Sequence, residues 1–503
     1  MTDHSGADSF MRQGHRAGAV VVDGRLPMGR RNFMRGGRQD DVKKLYSGSG
    51  NLAQTIDQMG PVAARLVAGS HLRDRLPGGI AAGYTFLAQL LAHEVSAVTP
   101  EVSVDLRLTA PVQDRARGLM LDSIFGPISE TASEPAFFTF RASASDPGRP
   151  VSVDVPWDDN DLAVVHDTRN ADTPILSQLS ALFIAYCVRA RRILRASYTE
   201  AEAAVLSRLL TAEVFHAILR GDLLPHILHP DVWALYGGAD WQVIDAEGRR
   251  PGALIPVEFS NAAFRFGHAM VRSNYTLNDR SPSLSLGELT RGIRGLNARR
   301  AANSNFWRVD WRLFFGTGSK VQLGRRIGPG VPPDLEKVTV FLKSSGQFPV
   351  AAGKNDIALR DLLRGAGAGL QRVSACADAM VPFLRAQPEL ARWALWDKAA
   401  RGTMMRDWLS AEPDLLPDHL IGDPPPYLYI LIESGAKGSA GGCGEGRTLG
   451  ALGSVLAAEV VLPPLRQAEI AVATQPGIAE ARRMVLGRRQ LPRTMTKFIQ
   501  FLT

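Results

Sequence analysis

Apolar residues recur at helical spacing through most of the chain. From Ala81 to Thr99 (AAGYTFLAQLLAHEVSAVT), Phe86, Leu87, Leu90, Leu91 and Val95 predict a buried amphipathic helix. Gln89 and His93 are four residues apart and share one of its faces. A glutamine and a histidine among leucines need polar partners, because burying them without hydrogen bonds is costly. They either satisfy each other and a neighbour, or line a polar pocket in an apolar wall.

Upstream, Leu45 to Leu76 carries helical patterns that end at the turn Pro77-Gly78-Gly79. Downstream, Leu106 to Phe125 is irregular, and Phe137–Phe140 and Val151–Val155 are strand-like runs bounded by Pro, Gly and Asp. Pro174 opens a long amphipathic stretch, Ile175 to Leu219, and a second long helix is predicted over Pro256 to Tyr275. Trp307 to Phe315 (WRVDWRLFF) alternates like an edge strand or a packed extended segment. Helical spacing returns over Ile357–Leu370, Ala375–Leu409 and Arg447–Leu462, the last stopped by Pro463-Pro464. No repeat of fixed period is visible. The pattern predicts one large, mainly α-helical domain over residues 41–503, behind a polar Gly-, Arg- and Asp-rich arm over residues 1–40.

Composition changes this picture little. The 503 residues are 45% hydrophobic and 21% charged, which is globular and ample for a large core. A net charge of +8 is spread along the chain, so mild attraction to anions follows but dedicated nucleic-acid binding does not. Cys187, Cys376 and Cys443 form no metal or disulfide framework, which points to a reducing compartment. No apolar run reaches transmembrane length. Arg30-Arg31-Asn32-Phe33-Met34 resembles a twin-arginine export signal but lacks the apolar segment after it, so a cytoplasmic location is expected. The Gly-rich Ser434–Gly446 stretch lacks the GK[ST] ending of a phosphate loop.

Three segments carry candidate chemistry. His93-Glu94 begins like a zinc-protease helix, but Ala97 stands where the second histidine belongs. His268 lies in VEFSNAAFRFGHAM, with Phe264 four residues before it, Arg265 three before it and Gly267 beside it. A histidine with a small neighbour, an aromatic wall and a nearby cation suits a haem iron ligand whose arginine reaches a propionate. A core histidine satisfied by backbone is the alternative. The polar run His166 to Pro174 precedes an apolar helix, and Asp172 or Thr173 is placed to cap it. The cap does not account for Arg169.

Together these pieces resemble the animal-type haem peroxidases (the peroxidase–cyclooxygenase superfamily), and in particular their bacterial members. AGYTFLAQLLAHE is similar to the distal helix, DTRNADTPILSQLSALF to the catalytic-arginine segment and FSNAAFRFGHAMV to the proximal helix. LDSIFG, WRVDWRLFF, LRDLLRGAGAGL and PPPYLYILIESG with GRTLGALGSVLAAEV resemble further blocks, in order from about residue 75 to 470. The resemblance implies a mainly helical peroxidase with haem b. It would reduce hydrogen peroxide and oxidise a small organic or halide donor through high-valent iron. His93 matches the distal histidine, Gln89 its neighbouring glutamine, Arg169 the distal arginine and His268 the proximal iron ligand; Arg265 and Arg364 match positions near the propionates. A neutral His93 suits general acid–base work and Arg169 suits charge stabilisation.

The departures are informative. Ala92 occupies one of the two positions that can form a haem ester, leaving a single link at Asp172, and Thr173 cannot form a sulfonium bond. Glu94 and Asp122 match calcium-site positions, but Met120 stands where an oxygen ligand is expected, so the set is short for calcium. Asp361 replaces the asparagine partner of the proximal histidine; as a carboxylate it would make His268 more basic and lower the reduction potential. The alternative is that Asp361 faces Arg364 or Arg360 on its own helix. Arg265 takes the place of the radical-forming tyrosine of the dioxygenase branch. A haem-binding or non-catalytic sensor of the same fold, and a lipid haem dioxygenase, are the competing functions.

Overall fold

The structure is a computed structural model. It describes residues 52–69, 79–97, 113–114, 119–128, 154–158, 163–237, 257–292, 306–316, 320–332, 335, 357–367, 370, 372–377, 397–410, 412–436 and 445–502. The N-terminal arm, the run Phe137–Phe140, most of Val151–Val155 and most of Ala375–Leu409 before Asp397 lie outside them.

The described chain is mainly α-helical. Its organising helices are α1 (Leu52–Ala68), α2 (Gly83–Val95), the single turn α3 (Asp122–Phe125), α4 (Pro174–Leu194), α5 (Glu200–Ile218), the short α6 (Gly267–Met270), α7 (Ile357–Gly367), α8 (Pro426–Gly435) and α9 (Ala451–Ala473). Strands are confined to two antiparallel pairs: β1 (Ser96–Ala97) with β2 (Gln113–Asp114), and β3 (Asn274–Thr276) with β4 (Ser283–Ser285), the latter in register Tyr275 to Leu284. Helix α2 is buried nearly all round, with Leu87, Leu90 and Leu91 fully enclosed. It packs on α4 and α6, while α1 lies along α7 and the segment before α6 rests on α8 and α9.

Local chemistry sets the boundaries. Thr173 caps α4, its Oγ1 accepting from the Leu176 N–H at 3.3 Å with Pro174 in the first turn, as the polar run before the apolar stretch anticipates. The stretch to Leu219 is two helices, not one. Thr199 and Glu202 form a reciprocal capping box that restarts the chain as α5 after a turn at 195–199.

The predicted helix over Pro256–Tyr275 is also broken. It runs as a short helix Val257–Asn261, a 3-10 turn Ala263–Phe266, then α6, and turns extended into β3. Arg312–Phe315 is a helical turn rather than a strand, with Phe314 and Phe315 packed inward. Pro463-Pro464 does not stop α9, which continues to Ala473. Two lost N–H bonds cost several kcal/mol, but enclosure of Val461, Leu462, Leu465 and Val472 offsets them.

One strap matters for the site. The Ala82 N–H donates to the Gln322 carbonyl, Gly324 exchanges bonds with Gly79 and Ile80, and the Arg325 N–H donates to the Met270 carbonyl. A Cβ on Gly324 would stand 3.3 Å from Thr85 Oγ1 and 3.4 Å from the Met270 carbonyl. The strap therefore passes between the start of α2 and the end of α6, and glycine keeps that approach close. Among the described residues no helix is long and apolar enough to cross a membrane.

Candidate active site

His93 sits in the last turn of α2, 6% exposed, with Nδ1 2.8 Å from Asn170 Oδ1. Asn170 belongs to a 3-10 turn, Thr168–Ala171, which Asp167 caps. The same turn carries Arg169, whose Nε and Nη2 donate to the two oxygens of Asp167 at 2.9 and 2.7 Å. This bidentate fork fixes the guanidinium, which is 19% exposed, while its partner carboxylate is nearly enclosed.

The turn is anchored in its turn. Asn170 Nδ2 donates to the carbonyl and to Oγ of Ser123, both at 3.1 Å, and the Asp167 N–H donates to the Ser123 carbonyl at 2.8 Å. Leu119 and Leu121, in the loop leading to α3, adopt left-handed backbone (φ 52° and 59°), which costs non-glycine residues energy and persists only where neighbours impose it. His216 Nε2 lies 2.9 Å from the Leu119 carbonyl.

Glu94 is the main restraint: its two oxygens accept the N–H groups of Asp122 and Ser123, each at 2.9 Å. Arg208 of α5 supplies the local cation. Its Nη2 donates to the Gly126 carbonyl at 2.9 Å and lies 3.6 Å from Asp122 Oδ1, with the guanidinium 4.4 Å from the centre of the Phe125 ring. Burial pushes its pKa down, opposed by Cys187, Asp122 and Glu94. Thus Glu94 and Asp122, the calcium-site matches, are engaged by backbone N–H groups and by a guanidinium. Among the described residues no three His, Cys, Asp or Glu side chains converge as a metal site.

On α6, His268 Nδ1 lies 2.6 Å from Asp361 Oδ2 on α7, and Arg265 Nη1 stands 3.9 Å from the other carboxylate oxygen. Asp361 is 1% exposed, whereas the His268 side chain is 27% exposed. A Cβ on Gly267 would touch nothing within 4 Å. The imidazole is thus partly open, and its Nε2 has no hydrogen-bond partner among the described residues. Asp361 faces His268 and Arg265 from the neighbouring segment.

The remaining candidates are placed as follows. Arg364 is one turn after Asp361 on α7, its side chain outside the described residues. Gln89 is half-buried one turn before His93. Asp172 is half-buried at the end of the 3-10 turn. Phe264 stacks on Phe259 at 4.6 Å and meets Phe266 edge-on, rather than forming a wall for His268. Asn170, Ser123 and Arg208 escape reading from sequence, because each acts through contacts that span tens of residues; Asp167, two residues before Arg169, leaves only its proximity as a local signal.

No protein-family model and no curated protein matches the sequence. Among solved structures, peroxidase A from Dictyostelium discoideum is similar, with a TM-score of 0.53 at 15% identity over 88% of each chain. The chain shares the overall fold of that peroxidase. Two fatty acid alpha-dioxygenases are further neighbours. The Oryza sativa protein has a TM-score of 0.44 at 13% identity, covering 96% of this chain and 95% of its own. The Arabidopsis thaliana protein has 0.45 at 12% identity, covering 83% and 74%. Within this fold α2 and α6 bring a buried imidazole–amide pair and a half-buried imidazole–carboxylate pair onto neighbouring helices.

Proposed function

We propose that the chain binds haem b beside α2 and α6 and reduces hydrogen peroxide there at the expense of a small organic or halide donor. One observation carries the reading. His268 spends Nδ1 on a buried carboxylate, which leaves Nε2 on a partly exposed ring without a partner among the described residues. That is the donor an iron ligand requires, with a carboxylate behind it that orients the ring.

His268 would hold the iron, and Arg265 and Arg364 would offer cations to the propionates, with Asp172 available for a single ester link. Haem, when bound, supplies the iron through which peroxide takes up two electrons. The chain's own residues handle protons and charge. His93, in its neutral form, would take the proton from one peroxide oxygen and return it to the departing one, so that water leaves. Arg169, held by Asp167, offers permanent positive charge to the oxygen on which negative charge grows.

The test is substrate balance on the haem-loaded protein. Peroxide consumption matched by donor oxidation supports the reading, and His93→Ala and Arg169→Ala should each lower that rate by 100-fold or so while haem stays bound. Oxygen uptake with fatty acid and no peroxide turnover would instead indicate a lipid dioxygenase. Haem binding with neither activity would indicate a sensor.

A further inference from the structure

Two imidazoles in this protein use Nδ1 for the same purpose but with partners of different charge. His268 meets the carboxylate of Asp361, and His93 meets the neutral amide of Asn170. The distal arrangement is over-determined. Asn170 Nδ2 is 3.1 Å from the Ser123 carbonyl, a group that only accepts, so the amide NH2 must face that way. Its oxygen then faces His93, and the hydrogen between them belongs to Nδ1 of the ring.

Reversing the amide would set two acceptors 3.1 Å apart. Ser123 cannot yield, because its N–H is held by Glu94 and its carbonyl also accepts from Asp167. Asn170 and Ser123 are fully buried, so water cannot substitute for a lost partner at low cost.

We propose that Asn170 is the positioning residue for His93: it fixes the ring as the Nδ1–H tautomer, leaves the lone pair on Nε2, and keeps the ring free to gain and lose a proton. This rests on the peroxidase reading for its purpose. A carboxylate in the same place would hold the ring protonated, since an opposite charge within 4–6 Å raises a histidine pKa by about 1–3 units.

The 3-10 turn spends the carboxylate at its start elsewhere. Asp167 is committed to the Arg169 fork, and residue 170 presents an amide instead. Several charged groups on elements packed around α2 have partners of their own. Glu94 is on α3 N–H groups, Asp122 is beside Arg208, and Asp222 accepts from the Tyr84 hydroxyl and the Met495 N–H. Arg312 is on Asp310, and Arg265 is beside Asp361 with His268.

The experiment follows His93 directly. In the full chain without added haem, ring nitrogen NMR, assigned with His93→Gln, should show a protonated Nδ1 and a bare Nε2 at neutral pH. Asn170→Asp should keep the ring doubly protonated to a pH at least one unit higher. With haem, the acid limb of the peroxide rate should move up by the same amount, whereas Asn170→Ala should slow the rate about tenfold without moving that limb. A proton on Nε2 in the wild-type chain, or identical ring titration in Asn170→Asp, overturns the proposal. Failure of the chain to take up haem would sink the peroxidase reading alone, because the ring measurement decides the tautomer without it.

Discussion

Glu433 offers a prediction whose size can be worked through. It lies on α8, 3% exposed, with Oε2 accepting the Leu452 N–H at 3.0 Å and Oε1 accepting from the Tyr429 hydroxyl at 3.3 Å. It thereby caps the first turn of α9, the helix on which the segment before His268 rests. The fit leaves room only for glycine at 450, where a Cβ would stand 2.4 Å from the carboxylate. Burial pushes its pKa from 4.5 up to about 7, despite the backbone and tyrosine hydrogen bonds that favour the charged form.

The folded protein thus holds a proton that the unfolded chain releases. The stability linked to it is complete below pH 4.5 and is lost as pH rises through about 7. A difference of about 2.5 units at about 1.36 kcal/mol each amounts to about 3 kcal/mol by pH 8. In Glu433→Gln the amide oxygen can keep the Leu452 N–H while the amide NH2 donates to Tyr429, so the cap survives and the titration does not. Denaturant unfolding of both proteins from pH 5 to 8 should give similar stability at pH 5 and a variant more stable by 2–3 kcal/mol, roughly, at pH 8. Parallel stability curves would refute the reasoning.

Two other outcomes follow from single contacts. Asp361→Asn replaces the charged partner of His268 with a neutral one, so the ferric/ferrous potential of the haem-loaded protein should rise by about 59 mV or more, a tenfold change in relative affinity. An unchanged potential in a redox titration would contradict the account. Because Glu94 is taken up by α3 and Asp122 faces Arg208, millimolar calcium should leave the melting temperature of the wild-type chain unchanged, whereas Arg208→Met should cost about 3–5 kcal/mol by uncovering Asp122. A calcium-dependent rise of several degrees would show that the carboxylates can turn to a metal.

How much of this was legible in the sequence depended on the range of the interaction. The helix around His93, the Thr173 cap with Pro174, and the mainly helical fold follow from spacing and local hydrogen bonding, and the structure contains them. Boundaries decided by tertiary packing are not legible in the spacing. Pro463-Pro464 looked like a stop, yet α9 is gripped on both sides of it; WRVDWRLFF alternated like a strand, yet its end is a helical turn buried by Phe314 and Phe315. The segment around His268 had helical periodicity throughout, and nothing local in it marks the breaks at 262 and 271.

The same holds at the site. Residues that resemble a family pattern could be named, but the groups that orient them could not. Asn170 reaches His93 across 77 positions and Ser123 across 47, and Arg208 reaches Gly126 across 82. No periodicity encodes such pairs, since a buried amide is chosen by what lies opposite it in the fold.

The central claim is that His268 Nε2 is the donor for a haem iron. The most direct measurement is a haem titration followed by absorption, comparing the wild-type chain with His268→Gly in the absence and presence of free imidazole. The account predicts one haem per chain with a histidine-ligated spectrum, loss of that spectrum in the variant, and its return when imidazole fills the space the side chain vacated. An unaltered spectrum in His268→Gly without imidazole would contradict it.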